Sequence, residues 1–102
     1  MTDIYRITKT FPLDERFGLT DQLRRAVIGI PSNIAEGSSR NTKKEFVNFL
    51  YMAQGSLSEI DTQLEISLKL GYVTLEECKE VYIKLERIGK MITGLIKNQK
   101  RW

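Results

Sequence analysis

The chain has 102 residues, of which 41% are hydrophobic and 28% are charged, and its formal net charge is +3. This length predicts a single domain over residues 1–102, and no apolar run reaches the roughly 18 residues that a membrane span requires. The chain contains no histidine, which excludes Ser-His-Asp triads and Glu-x-x-His iron sites. Because no apolar leader follows Met1, the sequence favours a cytoplasmic protein.

A short first helix is predicted before Pro12. Its apolar residues are Ile4, Tyr5, Ile7 and Phe11. The residue before a proline is pushed out of the helical conformation, so this helix should end there after about three turns. Residues 13–18 then form a connector, in which we expect Phe17 to be an apolar plug.

A second helix is predicted to start with Thr20 as its N-cap. Its core side chains are expected to be Leu23, Ala26, Val27, Ile30 and Ile34. Pro31 interrupts this pattern without changing its phase. Because proline removes one backbone hydrogen bond, the sequence predicts a kink there, with Ser32 and Asn33 able to satisfy the freed groups.

The longest predicted helix runs from Thr42 to Leu70. Its apolar stripe is Phe46, Phe49, Leu50, Ala53, Leu57, Ile60, Leu64 and Leu68. Steps of three and four residues place this stripe on one helix face. Thr42 and Glu45 have the spacing of a capping box, and Gly71 can take the left-handed conformation that ends a helix.

The last helix is predicted to follow a second capping box, Thr74 with Glu77. Its apolar face is Val81, Leu85, Ile88, Ile92, Leu95 and Ile96. Cys78 lies among acidic residues, which raise a thiol pKa, so we expect an inert thiol at or near the surface. Together these elements predict an all-α, antiparallel up-and-down four-helix bundle with a shortened first helix and a proline-kinked second helix.

Several apolar residues fall off these stripes. They are Ile28, Tyr51, Met52, Ile66 and Leu70. Because they lie on adjacent long helices, they indicate a second buried face. We therefore predict that the chain self-associates through these residues.

The basic residues are unevenly distributed. Those predicted to contact nucleic acid are Arg40, Lys43, Lys44, Arg87, Lys90, Lys97, Lys100 and Arg101. No acid follows Glu86, which indicates either stabilisation of a helix C-terminus through its dipole or an anionic partner. The three residues near the start of the central helix indicate either an anion site beside Ser38 and Ser39 or an ordinary polar loop. Among these basic segments only Trp102 could stack on a base, so phosphate contacts are expected.

No metal site, cofactor or enzymatic activity is predicted. The carboxylates that could hold a metal are Glu36, Glu45, Glu59, Asp61 and Glu65. Their spacing fits a solvated helix face better than a coordination site. The sequence also lacks G-x-x-x-x-G-K-[ST] and G-x-G-x-x-G, so nothing in it supports nucleotide binding.

Three segments carry a family resemblance: ERFGLTDQLRRA at residues 15–26, IPSNIAEG at 30–37 and FLYMAQGSLSE at 49–59. They resemble the four-helix bundle proteins encoded in intervening sequences of 23S ribosomal RNA genes. The resemblance implies a ring-like homopentamer with a nucleic-acid role and no assigned enzymatic activity. It also implies similarity to the accessory protein of diversity-generating retroelements, which works with a reverse transcriptase and RNA.

Within these segments, the positions that match best are assigned structural roles. Together with Pro31 and Gly37 of the most specific segment, these positions form what we call the signature set. Its members are Arg25, Pro31, Ser32, Asn33, Glu36, Gly37 and Gly55. Family members usually carry more residues before the equivalent of Ile4, so the resemblance implies a short first helix here. Two functions remain open: a non-enzymatic scaffold that binds structured RNA or DNA, and a protein-binding accessory subunit, such as that of a reverse transcriptase.

Overall fold

The computed structural model describes residues 2–100. Its helices are α1 (Thr2–Thr8), α2 (Leu19–Ser38), α3 (Lys43–Lys69) and α4 (Leu75–Gln99), and a 3-10 turn at Leu13–Glu15 precedes α2. The described part contains no strand, so the predicted all-α fold is confirmed. Within it, no helix is long and apolar enough to cross a membrane.

α3 is the central helix, because α2 and α4 both pack along it while α1 contacts α2 and α4. Between α2 and α3, the Gln63 side-chain amide donates to Gln22 at 3.3 Å. Between α3 and α4, the Gln54 amide donates to the Thr93 hydroxyl at 3.1 Å. The most completely buried core side chains are Ile4, Leu23, Leu50, Ile60, Leu64, Val81 and Ile92.

Tertiary contacts hold the seven-residue helix α1 in place. The Lys84 ammonium donates to the Asp3 carboxylate, which ties α1 to α4. On the other side, Arg24 Nε donates to the Thr8 hydroxyl at 2.9 Å, and the Arg24 guanidinium lies 5.0 Å from the centre of the Tyr5 ring. Because a helix this short is unstable alone, these contacts and the burial of its apolar side determine its position.

The Asp3–Lys84 pair predicts an acid-dependent contribution to stability. The hydrogen bond from Lys84 is the main cause that lowers the pKa of Asp3 below its ordinary value of 3.8. A carboxyl group with a lowered pKa stabilises the fold above its unfolded pKa and loses that effect as the pH falls through the folded pKa. We expect Asp3→Asn to lower stability at neutral pH by up to about 1 kcal/mol, since the Lys84 side chain is 51% exposed and screened by solvent.

Thermal unfolding of both proteins along an acid series measures this effect. The difference in melting temperature should shrink as the pH falls below 3.8, the ordinary pKa of Asp3. Asp14→Asn is the control, because Asp14 is exposed and forms no ion pair within residues 2–100. A difference between Asp3→Asn and the unmodified protein that stays constant down to acid pH would contradict the role of the pair.

The start of α2 differs from the prediction. The Leu19 N–H donates to Glu15 Oε1 at 3.2 Å, and Glu15 Oε2 accepts from the Tyr72 hydroxyl at 3.0 Å. Glu15 therefore satisfies the first helical turn and links it to the α3–α4 turn, while Thr20 is buried inside the helix rather than serving as N-cap. Phe17, the predicted plug, is 83% exposed. Both predictions were wrong, and the one for Thr20 failed because Glu15 reaches the helix start from the preceding turn.

The other helix ends agree more closely with the sequence. Thr74 and Glu77 form the complete capping box. At the start of α3 only half of the box is present: the Thr42 hydroxyl accepts from the Glu45 N–H at 3.1 Å, and no return bond to the backbone forms. Gly71 has a φ of 80°, as expected for a left-handed helix stop.

Two glycines of α2 let it approach α3 closely. A Cβ on Gly37 would lie 2.7 Å from the Phe49 Cβ, and a Cβ on Gly29 would lie 2.7 Å from the Ser56 hydroxyl. Contacts this short do not occur between real Cβ atoms and their neighbours. Close packing of α2 against α3 therefore explains why position 37 of the signature set is a glycine.

The rest of the signature set is more exposed. α2 continues through Pro31 to Ser38, and the predicted kink stays a prediction. The Asn33 side chain donates to the Gly29 carbonyl at 2.8 Å, while Ser32 is exposed. Arg25 forms an exposed ion pair with Asp21 at 3.1 Å. A Cβ on Gly55 would have no neighbour within 4 Å, so the described chain gives Gly55 no packing role of its own.

Candidate nucleic-acid interface

Two basic segments that are distant in sequence meet at one end of the bundle. Lys44, in the first turn of α3, and Lys100, at the end of α4, line the same hollow of ≈ 400 Å³. The remaining lining residues are Val47, Asn48 and Tyr51. Within residues 2–100, no acidic residue lines this hollow, so an anion entering it meets two cations.

Lys100 also borders a second, shallower hollow. That hollow is lined by Gly94, Lys97, Asn98 and Lys100. Since Lys100 belongs to both hollows, the positive charge of Lys44 and Lys97 is part of one continuous surface. We call Arg40, Lys43, Lys44, Lys97 and Lys100 the basic end.

The residues of the basic end differ in how far neighbouring carboxylates neutralise their charges. Arg40 pairs with Glu36 at 2.5 Å, and its guanidinium lies 5.0 Å from the centre of the Phe49 ring. Lys44 and Lys97 form no ion pair with any residue in the range 2–100. Their charges are therefore available to an external anion.

The helix dipoles have opposite effects on Lys44 and Lys97. Lys97 lies in the last turn of α4, where a cation is favourable, whereas Lys44 lies in the first turn of α3, where a cation is unfavourable. Helix stability therefore accounts for Lys97 but not for Lys44. The exposed N–H groups of the α3 terminus add to the attraction for an anion at this end.

Other predicted nucleic-acid residues lie elsewhere. Arg87 lines a separate hollow next to α1, together with Thr2, Asp3, Lys84 and Ile88. Lys90 pairs with Glu86 at 3.3 Å and lines a groove between α3 and α4 that Lys97 also borders. Arg87 and Lys90 are only three residues apart on α4, yet they border different hollows. Arg101 and Trp102 lie outside the described residues.

The groove between α3 and α4 is the largest hollow described, at ≈ 850 Å³. It is lined by Gln54, Leu57, Ser58, Asp61, Tyr82, Leu85, Glu86, Gly89, Lys90, Thr93, Gly94 and Lys97. Its acids and bases balance, so it lacks the single-sign charge of the basic end. Over residues 2–100, no three His, Cys, Asp or Glu side chains cluster in a way that could hold a metal ion.

Two groups beside this groove, the Tyr82 hydroxyl and the Cys78 thiol, have a raised pKa and favour their neutral forms. Burial raises the pKa of the Tyr82 hydroxyl, and burial followed by the charge of Glu77 raises the pKa of the Cys78 thiol. Cys78 is fully buried rather than near the surface as predicted. A nucleophile is activated by a lowered pKa, so neither group has the environment of an activated nucleophile.

The predicted oligomer residues do not form one patch. Ile28, Tyr51, Met52, Ile66 and Leu70 are between 43% and 54% exposed. Met52, Ile66 and Leu70 share the outer face of α3 by their helical spacing, and Tyr51 instead faces Lys100 at the basic end. Ile28 lies one turn after Arg24, on the side of α2 that faces α1.

The similarity to known proteins agrees with this architecture. A family model described as the 23S rRNA-intervening sequence protein matches residues 1–94. The chain belongs to this family. The match covers the first three helices and α4 as far as residue 94, so Lys97 and Lys100 of the basic end lie beyond the matched region.

A solved structure shows the same fold. It is a protein of unknown function from the S23 ribosomal protein family of Bacteroides thetaiotaomicron, with 26% identity and a TM-score of 0.79. The similarity covers 92% of this chain and 91% of that chain. No curated protein matches this chain significantly.

Proposed function

We propose that this family member is a non-enzymatic, oligomeric helical bundle that binds nucleic acid, particularly structured RNA, through phosphate contacts at its basic end. The observation that carries the proposal is the convergence of Lys44 with Lys97 and Lys100 from two helices. None of these three lysines forms an ion pair within residues 2–100. Cations that the fold gathers without neutralising them form the electrostatic footprint of a nucleic-acid surface.

Phosphate binding by this surface is independent of sequence. Lysine ammonium groups contact phosphates as point charges and release the counterions that surround the nucleic acid. Such contacts give modest affinity per protomer. Self-association would repeat the basic end several times in one particle, so that several weak contacts act on one RNA.

A charge-reversal pair tests the proposal. In Lys44→Glu/Lys97→Glu, we expect affinity for a structured RNA at low salt to fall by at least about tenfold, because two phosphate contacts are lost. The slope of log affinity against log salt should become shallower by about 0.9 per lost contact on a duplex. Fluorescence anisotropy over a salt series measures both quantities.

Lys9→Glu/Lys79→Glu is the matched control, since it changes the net charge equally at two exposed lysines that form no ion pair within residues 2–100. It should bind RNA nearly as the unmodified protein does. Light scattering should show the same mass for all three proteins. If the unmodified protein retains neither RNA nor DNA at low salt, the nucleic-acid function fails.

The alternative is a protein-binding accessory subunit, such as that of a reverse transcriptase, without direct nucleic-acid contact. The exposed apolar side chains on the outer face of α3 support it, because apolar patches of this kind mark protein contacts. It becomes the preferred function if the protein assembles and binds no nucleic acid. In that case the basic end contributes only to the net charge and the solubility of the protein.

A further inference from the structure

We infer that Tyr51 is a stacking platform for an unpaired base, and that the basic end therefore prefers single-stranded nucleic acid, including the loops of a folded RNA, to a uniform duplex. This inference rests on the proposed function. It departs from the expectation of phosphate contacts alone, which followed from the lack of aromatic residues in the basic segments. The fold places an aromatic residue of α3 beside a lysine of α4.

The ring of Tyr51 is accessible at the mouth of the hollow that Lys44 and Lys100 line. Its exposed fraction is 47%. The hydroxyl accepts a hydrogen bond from the Lys100 ammonium at 2.9 Å. A tyrosine side chain has few rotatable bonds, so little conformational freedom is lost when a base stacks on the ring.

Lys100 leaves the faces of the ring open. Its ammonium nitrogen lies 2.9 Å from the hydroxyl oxygen but 5.3 Å from the ring centre. The ammonium therefore lies beyond the hydroxyl edge rather than above the ring. In that position it can contact a phosphate while a base stacks on the aromatic face.

The remaining lining residues complete the chemistry of a nucleotide site. Lys44, Asn48 and Tyr51 follow one another at i, i+4 and i+7, so they lie on one side of α3. The Asn48 amide can donate to and accept from the edge of a base, and Val47 provides an apolar floor. The volume of ≈ 400 Å³ lies in the range of small-molecule pockets.

The preference for unpaired bases follows from access to their faces. In a duplex the base faces are covered by their neighbours, and the accessible groups are phosphates and groove edges. An unpaired nucleotide presents a free π-face to tyrosine and a phosphate to the flanking lysines. Stacking is tolerant of sequence, so the site should accept any base.

The test compares Tyr51→Ala with Tyr51→Phe on two fluorescein-labelled probes, an unstructured oligonucleotide and a blunt duplex of equal length. We expect Tyr51→Ala to weaken single-strand binding by about 5- to 150-fold and duplex binding by less than about twofold. Tyr51→Phe, which keeps the ring but loses the hydroxyl, should bind both probes within about threefold of the unmodified protein. The salt slope should be unchanged in Tyr51→Ala, because the phosphate contacts remain.

Phe17→Ala is the matched control. Phe17 is also an exposed aromatic residue beside a cation, with the Arg16 guanidinium 4.9 Å from its ring centre, but it lies in the connector before α2. Its replacement should leave binding of both probes unchanged.

Four outcomes overturn the inference, and they are distinguishable. Equal losses on both probes in Tyr51→Ala would show that Tyr51 only positions Lys100. A lower oligomer mass for Tyr51→Ala in light scattering would assign Tyr51 to the interface between subunits instead. Unchanged single-strand binding in Tyr51→Ala, with lysine-dependent RNA binding intact, would remove the stacking platform and leave the proposed function standing. Failure of the unmodified protein to bind either probe would refute both this inference and the proposed function.

Discussion

Met52→Glu/Leu70→Glu is expected to leave the chain monomeric at concentrations at which the unmodified protein assembles. Both side chains lie on the outer face of α3 and are about half exposed. Burying a large apolar side chain contributes roughly 1.5–3 kcal/mol, so placing two carboxylates there should weaken each subunit contact by at least about a hundredfold. Light scattering should report the 11.8 kDa mass of a single chain.

Ile28 lies apart from Met52 and Leu70, so its replacement tests a second face of the subunit. A ring of subunits needs two different faces on each subunit, one of which contacts the other face of its neighbour. If the faces containing Ile28 and Met52 are those two, Ile28→Glu should also be monomeric. A mixture of the two monomeric variants should then form a heterodimer, because one intact face remains on each.

Leu13→Glu is the control, since Leu13 is 85% exposed in the turn before α2 and belongs to neither face. It should assemble like the unmodified protein. A stable monomer in the unmodified protein at micromolar concentration would refute self-association. Assembly that survives Met52→Glu/Leu70→Glu would show that another surface holds the subunits together.

Gly37→Ala is expected to destabilise the bundle by about 1–3 kcal/mol, although alanine is the better helix former. The new Cβ would lie 2.7 Å from the Phe49 Cβ and 3.3 Å from the Phe46 carbonyl oxygen. A change of side-chain rotamer cannot move either atom away, so α2 and α3 must separate. For a domain of this size, the melting temperature should fall by roughly 5–20 °C at fixed protein concentration.

Gly94→Ala is the matched control for this substitution. A Cβ on Gly94 would have no neighbour within 4 Å, so the change should raise stability by about 0.5–1 kcal/mol through helix propensity alone. Thermal unfolding of the two variants should therefore give shifts of opposite sign. An increase in melting temperature for Gly37→Ala would show that the close approach of α2 and α3 is not required.

Local patterns in the sequence were sufficient to predict that four helices form, although α1 ends at Thr8 and not just before Pro12 as predicted. Apolar spacing identified all four, and the capping residues at Thr42 and Thr74 together with Gly71 located the ends of the two longest. These signals depend on neighbours within one or two turns, which a single sequence contains. The family membership was also recognisable from three short segments.

The errors concern the connector before α2 and the first turn of that helix. Glu15 replaces Thr20 at the start of α2 and also accepts a hydrogen bond from Tyr72, which lies beyond α3. Apolar character alone predicted burial for Phe17, yet Phe17 is exposed, whereas Phe11 is buried and packs against Tyr72 with ring centres 5.4 Å apart.

The candidate site was predicted as two separate basic segments and one aromatic residue assigned to a subunit interface. Helical spacing could place Lys44, Asn48 and Tyr51 on one side of α3, but it could not show which residue of α4 faces them. The packing of α3 against α4 brings Lys100 to Tyr51, while Arg87 borders a separate hollow next to α1. The sequence by itself determined the helices and their charges, whereas the tertiary structure decided which charges act together, because that depends on the rotation and register of one helix against another.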